Sequence, residues 1–222
     1  MSRRVSESKL IMNTNPQSPV ADAYRTLKTN IQFAKWEDTL QVIAVTSTLP
    51  GEGKTTTITN LAVSYAQEGK NVLLIDADMR HPSVHRAFNL PNKLGLSNIL
   101  VNQYSLTEVI KDSYIDHLSI MTAGPIPPNP SELLSSVYLG KMLEELRGKY
   151  DIILFDTPPT LAVADGLKVA ALSDGIVLVV QVGKVKWQLV KKTKAKLEHV
   201  NAEILGVVLN NQRKHKPEYQ YN

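Results

Sequence analysis

The stretch "VTSTLPGEGKTT", Val45 to Thr56, packs small hydroxyls, glycines, one proline and one lysine directly behind an apolar run. A strand, a glycine-containing turn and a helix opening on Lys-Thr form the arrangement of a phosphate-binding loop. Gly51 and Gly53 permit the dihedrals with which successive N–H groups converge on phosphate oxygens, and the following helix N-terminus adds favourable potential. Lys54 is spaced to reach terminal phosphates and Thr55 to offer its hydroxyl to Mg²⁺, with Glu52 and Thr56 completing the candidate nucleotide-binding run. Thr48 stands where the usual pattern has its first glycine, so the loop is weighed by its companions.

Two companions are present. "LLIDADMR", Leu73 to Arg80, ends an apolar strand with Asp76, Asp78 and Arg80 at alternating positions. Three charges leaving a hydrophobic strand are costly unless they face solvent or a charged ligand. "IILFDTPP", Ile152 to Pro159, brings Asp156 out of four apolar residues in the manner of a Walker B carboxylate that holds Mg²⁺ through water. With Mg²⁺ assigned to Thr55, Asp78 and Asp156, Asp76 is left to accept a proton from the group attacking a γ-phosphate, water or a hydroxyl.

Outward from the loop, "LQVIAVT", "NVLLID", "HLSIMTA", "DIILFD", "GIVLVVQV" and "ILGVVLN" read as buried strands. Helices are expected at Val20 to Trp36, Lys54 to Gln67, Leu106 to Lys111, Ser131 to Arg147, Asp165 to Leu172 and Val185 to Val200. Continuous apolar strands alternating with helices predict an α/β fold of the P-loop NTPase type, a mostly parallel central sheet with helices on both faces. The expected division is a loose, polar N-terminal arm over 1–17, one P-loop domain over 18–212, and a flexible basic tail over 213–222. In the first helix Val20, Tyr24, Leu27, Ile31 and Ala34 form the inner stripe, with Asp22, Arg25 and Lys28 on the opposite face. The proline-rich "GPIPPNPSELL", Gly124 to Leu134, should be a rigid connection bordering the site.

Composition narrows the function classes. In 222 residues, 43% are hydrophobic and 21% charged, ordinary for a folded globular chain, and the lack of cysteine excludes thiol chemistry and cysteine-bound zinc. No apolar run is long enough to cross a bilayer and the start lacks a secretory leader, so the chain is expected in the cytoplasm. Lys plus Arg exceed Asp plus Glu by four, 25 against 21, and the excess gathers at "KVKWQLVKKTKAK" and "RKHK". That basic segment reads equally as a solvated helix face or as a surface for anionic lipid or an acidic partner.

Together "SPVADAYRTLKTNI", "TSTLPGEGKTT", "LLIDADMR", "GPIPPNPSELL" and "FDTPP" resemble, in this order, the bacterial tyrosine kinases of capsule and exopolysaccharide systems, in the form where the cytoplasmic kinase is a separate chain. The wider ATPase class of division-site and partition proteins carries an early lysine in K-G-G-x-G-K, where this chain has Leu49 and Pro50. The resemblance implies ATP with Mg²⁺, catalytic roles for Lys54, Asp76 and Asp78, metal roles for Thr55, Asp78 and Asp156, and a place near the adenine for Asn210. It also implies phospho-acceptors at Tyr219 and Tyr221, protein tyrosine substrates, and self-association, in a ring, through an early-helix signature that reads Asp22-x-x-Arg25-x-x-Lys28 here. It further implies activation by the cytoplasmic tail of a membrane-anchored protein, which would recruit the chain to the inner face of the membrane; no nucleic-acid partner is expected. The alternatives are an ATPase switch of the division or partition kind without protein kinase activity, and an ATP-gated scaffold.

Overall fold

The computed structural model describes residues 10–35 and 40–211. Seven strands, β1 (Val42–Ser47), β2 (Val72–Asp76), β3 (Lys111–Asp112), β4 (Leu118–Met121), β5 (Ile152–Asp156), β6 (Gly175–Gln181) and β7 (Ile204–Asn210), form one sheet in the order β3-β4-β2-β5-β1-β6-β7. Every pairing is parallel except the two-residue β3, which closes one edge antiparallel to β4. The helices are α1 (Ile11–Thr14), α2 (Pro19–Ala34), α3 (Lys54–Ala66), α4 (Val84–Ala87), α5 (Leu96–Leu100), α6 (Leu106–Val109), α7 (Pro130–Leu133), α8 (Val137–Arg147), α9 (Asp165–Ala170) and α10 (Trp187–His199).

The strands are buried because both sheet faces are covered, which explains their unbroken apolar sequences. Val42, Ala44, Leu73, Ile75, Ile153 and Phe155 point into one core, with the side chains of α5 and α8. Their alternates Ile43, Val45, Val72, Leu74, Ile152 and Leu154 point into the other, against α1, α2 and α3. This two-residue alternation between cores fixes register, since a slip of one residue would exchange the two faces. In a parallel sheet all carboxyl ends emerge together, so β1, β2 and β5 deliver their terminal residues to one edge.

Several expectations are corrected. The loose arm does not extend to residue 17: Leu10 and Met12 are wholly buried, the Met12 N–H donates to Asn60 Oδ1 at 3.0 Å, and Gln67 Nε2 donates to the Met12 carbonyl. Lys28 is buried in an ion pair with Glu68 of the loop after α3, not displayed with Asp22 and Arg25. The stripe of α2 turns accordingly, burying Ala21, Lys28 and Ile31 and leaving Val20 exposed. Ser18 caps α2 by accepting from the Ala21 N–H, with Pro19 in the first turn. The segment 131–147 is two helices, interrupted at Ser135 and Ser136; the Ser135 hydroxyl bonds back to the Ser131 carbonyl. Lys111 leaves the expected helix to pair with Ile120 in the sheet.

Candidate active site

Between β1 and α3 the loop makes its turns at Gly51, φ +76°, and Gly53, φ +98°. Both are left-handed, a conformation glycine takes without strain, and Gly53 caps α3. Glu52 folds inward: its Oε2 accepts from the Thr48 N–H at 3.1 Å, while its buried Oε1 has no partner. Burial pushes this carboxyl up, against the backbone amides of Thr48 and Leu49 and the charges of Lys184 and Lys54. Its side chain thus closes the loop on itself. Thr56 is half-buried in the first turn of α3, where its carbonyl accepts from Thr59 and Asn60.

The carbonyls of the loop are held from outside. Lys184 Nζ donates to the Pro50 and Gly51 carbonyls at 3.1 and 3.3 Å, and Asn210 Nδ2 donates to the Glu52 carbonyl at 2.8 Å. Asn210 therefore braces the loop; a Cβ on Gly53 would lie 2.2 Å from its amide nitrogen. Sequence reasoning placed Lys184 on the basic helix, but it lies on the turn before α10, just after Gly183 at φ +77°.

Asp76 and Asp156 are register partners on adjacent strands. Thr55 Oγ1 donates to Asp156 Oδ2 at 2.5 Å and lies 2.9 Å from Ser83 Oγ. Asp156 Oδ1 is buried without a partner. Asp76, fully buried, accepts from the Ser83 and Val84 amides at 2.9 and 3.0 Å through Oδ2, and from the Asp78 amide at 3.2 Å through Oδ1. Asp78 Oδ1 accepts from the His81 amide at 3.0 Å. The run from Asp78 to Val84 is thus wound around the carboxylates by its own amides. Lys54 is buried, and among the described residues no hydrogen bond or ion pair engages its ammonium.

Electrostatics separate these groups. Burial and the charge of Asp156 push Asp76 well above the usual carboxylate range, against its two strongest amide bonds. Burial raises Asp156 to about 6, although Lys54 and the Thr55 hydroxyl pull it down. Such an anionic, under-satisfied edge suits a cation: an orphaned Asp156 oxygen, a Thr55 hydroxyl and Asp78 are oxygen donors of the kind Mg²⁺ takes. No cluster of three carboxylate or histidine ligands is preformed among the described residues. That fits Mg²⁺, which is ordinarily held by one or two carboxylates together with substrate phosphates.

Sequence reasoning missed two further contacts, those of Ser83 and the ion pair of Arg80. Ser83 touches Thr55 by its hydroxyl and Asp76 by its amide. Arg80 makes a bidentate pair with buried Asp165 at 2.7 and 3.3 Å, so its charge is anchored in the first turn of α9. Gly124, where the proline-rich connection begins, bonds Asn92 and borders a cavity behind the Asp78–Val84 run, as expected of a connection beside the site. A cavity of about 830 Å³ opens elsewhere, at Gln41 and Tyr150 beside the amino ends of the strands, and holds none of these groups. Tyr219 and Tyr221 lie outside the described residues.

Known proteins resemble this chain over most of its length. The AAA domain family matches residues 40–205. The tyrosine-protein kinase YwqD of Bacillus subtilis is 44% identical over 97% of this chain and 91% of its own length. The tyrosine-protein kinase CpsD of Streptococcus agalactiae is 39% identical over 84% of this chain and 81% of its own. Among solved structures, the chimerical protein CapA2B2 superposes with a TM-score of 0.90 at 40% identity, covering 93% of this chain and 91% of that one. The kinase domain of the Escherichia coli tyrosine kinase ETK gives 0.88 at 32% identity, covering 96% and 84%. The septum site-determining protein MinD of Pyrococcus horikoshii, 23% identical with a TM-score of 0.64 over 76% and 69% of the two chains, shares the fold alone. A P-loop with these carboxylates, in a chain so close to those relatives over nearly its full length, belongs to the AAA domain family and, within it, to the bacterial tyrosine-protein kinases.

Proposed function

We propose that the chain transfers the γ-phosphoryl group of ATP to tyrosine hydroxyls of proteins, Tyr219 and Tyr221 of its own tail included, and thereby regulates capsule or exopolysaccharide synthesis. The observation that carries this reading is the register pair Asp76 and Asp156, with Thr55 bonded to the second and Lys54 beside it. The amides of Gly51 to Thr55 would bind the phosphates, and Lys54 would neutralise charge on the terminal ones. Thr55, Asp156 and Asp78 would hold Mg²⁺, which when bound would supply charge neutralisation for the phosphates. Asp76, its affinity for a proton raised by burial, would take the tyrosine proton as the new oxygen–phosphorus bond forms and the bond to the β-phosphate oxygen breaks.

Asn210, beside Gly53, would border the nucleotide. The resemblance to separate-chain kinases supports a membrane-anchored activator whose cytoplasmic tail brings the chain to the inner membrane face, and self-association of the kinase. Asp22 and Arg25 are paired with each other on the surface of α2, whereas Lys28 is engaged inside the chain, so a subunit contact through this signature would use the first two.

Intact mass after incubation with Mg-ATP and an activator fragment tests the assignment. Wild type should gain phosphate, Lys54→Met and Asp76→Ala should not, and removal of residues 218–222 should abolish the gain at the tail. Undiminished tail phosphorylation in Lys54→Met and Asp76→Ala would overturn it.

A further inference from the structure

Behind the run that carries Asp78 lies a cavity of about 570 Å³ whose charge is of one sign. Arg80, His81, His85 and Arg86 line one wall, Asn92 and the Gly124 end of the proline-rich connection the other, and no carboxylate lines it among the described residues. The walls are fixed. Asn92 donates to the Gly124 carbonyl at 2.8 Å and accepts from the Gly124 amide at 2.9 Å, while Arg80 is braced by Asp165. Among the described residues the buried Nδ1 of His85 has no partner, and Arg86 is exposed. A rigid recess lined by the Arg86 guanidinium and two histidines suits an anion that arrives from outside.

Its position says which anion. The amides of Ser83 and Val84 bond Asp76, and the amide of His81 bonds Asp78, so the segment that shapes one wall of the cavity also holds the reacting edge. An extended peptide advances roughly 3.3 Å per residue. A tyrosine whose hydroxyl reaches Asp76 would then bring its neighbours in sequence near the segment that carries Arg80 and Arg86. We infer that this cavity reads an acidic side chain within about two positions of the acceptor tyrosine, making tyrosines with an adjacent carboxylate the substrate class. The chain's own tail meets this at one position, Glu218 directly before Tyr219, within an otherwise basic run. The inference rests on the kinase reading and adds a specificity site to it.

The test uses the full chain with Tyr219→Phe and Tyr221→Phe, so that only added peptide accepts phosphate, together with its activator fragment. The probes are synthetic peptides of residues 213–222 carrying Glu, Gln or Lys at 218, each with and without Arg86→Glu in the kinase. Peptide kcat/KM should fall about fivefold from Glu to Gln and further to Lys. Arg86→Glu should reverse the order in favour of the Lys peptide and leave Mg-ADP affinity unchanged. Equal phosphorylation of all three peptides, or an order that Arg86→Glu does not alter, would overturn the cavity assignment while the kinase reading stands. ATP turnover with no phosphotyrosine on any peptide would overturn both.

Discussion

Asp174 and Asp156 stand at opposite ends of one parallel sheet. At the amino end, Asp174 accepts from the amides of Gln41 and Val42 at 3.0 and 2.7 Å and from both terminal nitrogens of Arg147 at 3.0 and 2.6 Å. Burial alone would raise its carboxyl, but the bonds from Arg147, Val42 and Gln41 outweigh it and hold the group below the usual range. At the carboxyl end, Asp156 has one bonded oxygen and one orphan, with Asp76 on the neighbouring strand, and is pushed to about 6. The same residue type is thus settled where it serves the fold and left under-satisfied where it faces a ligand. The difference teaches that incomplete bonding at a buried carboxylate marks function more sharply than the presence of a carboxylate does.

The strongest way to break the contrast is a matched pair of substitutions. Asp76→Asn should lower phosphoryl transfer by about 10²- to 10⁴-fold, as loss of a positioned base does, without loss of fold. Circular dichroism and initial rates together would check it, and retained activity would remove Asp76 from the chemistry. Next in size is the pH response of the nucleotide-free chain. Asp156 titrates near 3.8 when exposed and about 6 when folded, so protonation favours the folded state, and that advantage is lost as pH rises through about 6, at a cost of up to about 3 kcal/mol. Asp174, shifted the other way, loses its contribution only as pH falls below its unfolded value. The melting temperature of wild type relative to Asp156→Asn should therefore decline between pH 5 and pH 7.5, and parallel curves would refute the assignment.

Asp174→Ala should cost about 2 kcal/mol of stability in urea titration while kcat stays near wild type, because its bonds hold strand ends far from the reacting edge. The smallest effect is expected at Lys184. Lys184→Ala should weaken Mg-ADP binding about threefold to tenfold by freeing the Pro50 and Gly51 carbonyls, with partial recovery in Lys184→Arg, measured by calorimetry.

One side of the contrast was legible beforehand, and the reason is local. Strands buried on both faces advertise themselves as apolar runs, so Asp76 and Asp156 stood out where such runs end, and the glycine spacing exposed the phosphate loop. What could not be read depended on partners distant in sequence. Met12 is held by Asn60, Lys28 by Glu68 and Arg80 by Asp165, and no helical wheel or strand alternation contains the second member of any of these pairs. Lys184 was hidden differently: its neighbours Lys186, Lys191 and Lys192 made it look like one charge among many on a basic helix, until the turn at Gly183 aimed it at the loop.

The close approach of Asn210 to Gly53 has an evolutionary corollary. A residue at the end of the last strand and a glycine in the first loop share one small space, so neither can change size without a response from the other. Gly53→Ala meets two obstacles, the left-handed backbone and the Asn210 amide; Asn210→Gly lifts the second and leaves the first. The two positions are therefore epistatic, and the permitted alphabet at the nucleotide loop is set in part by the strand that precedes the tyrosine tail.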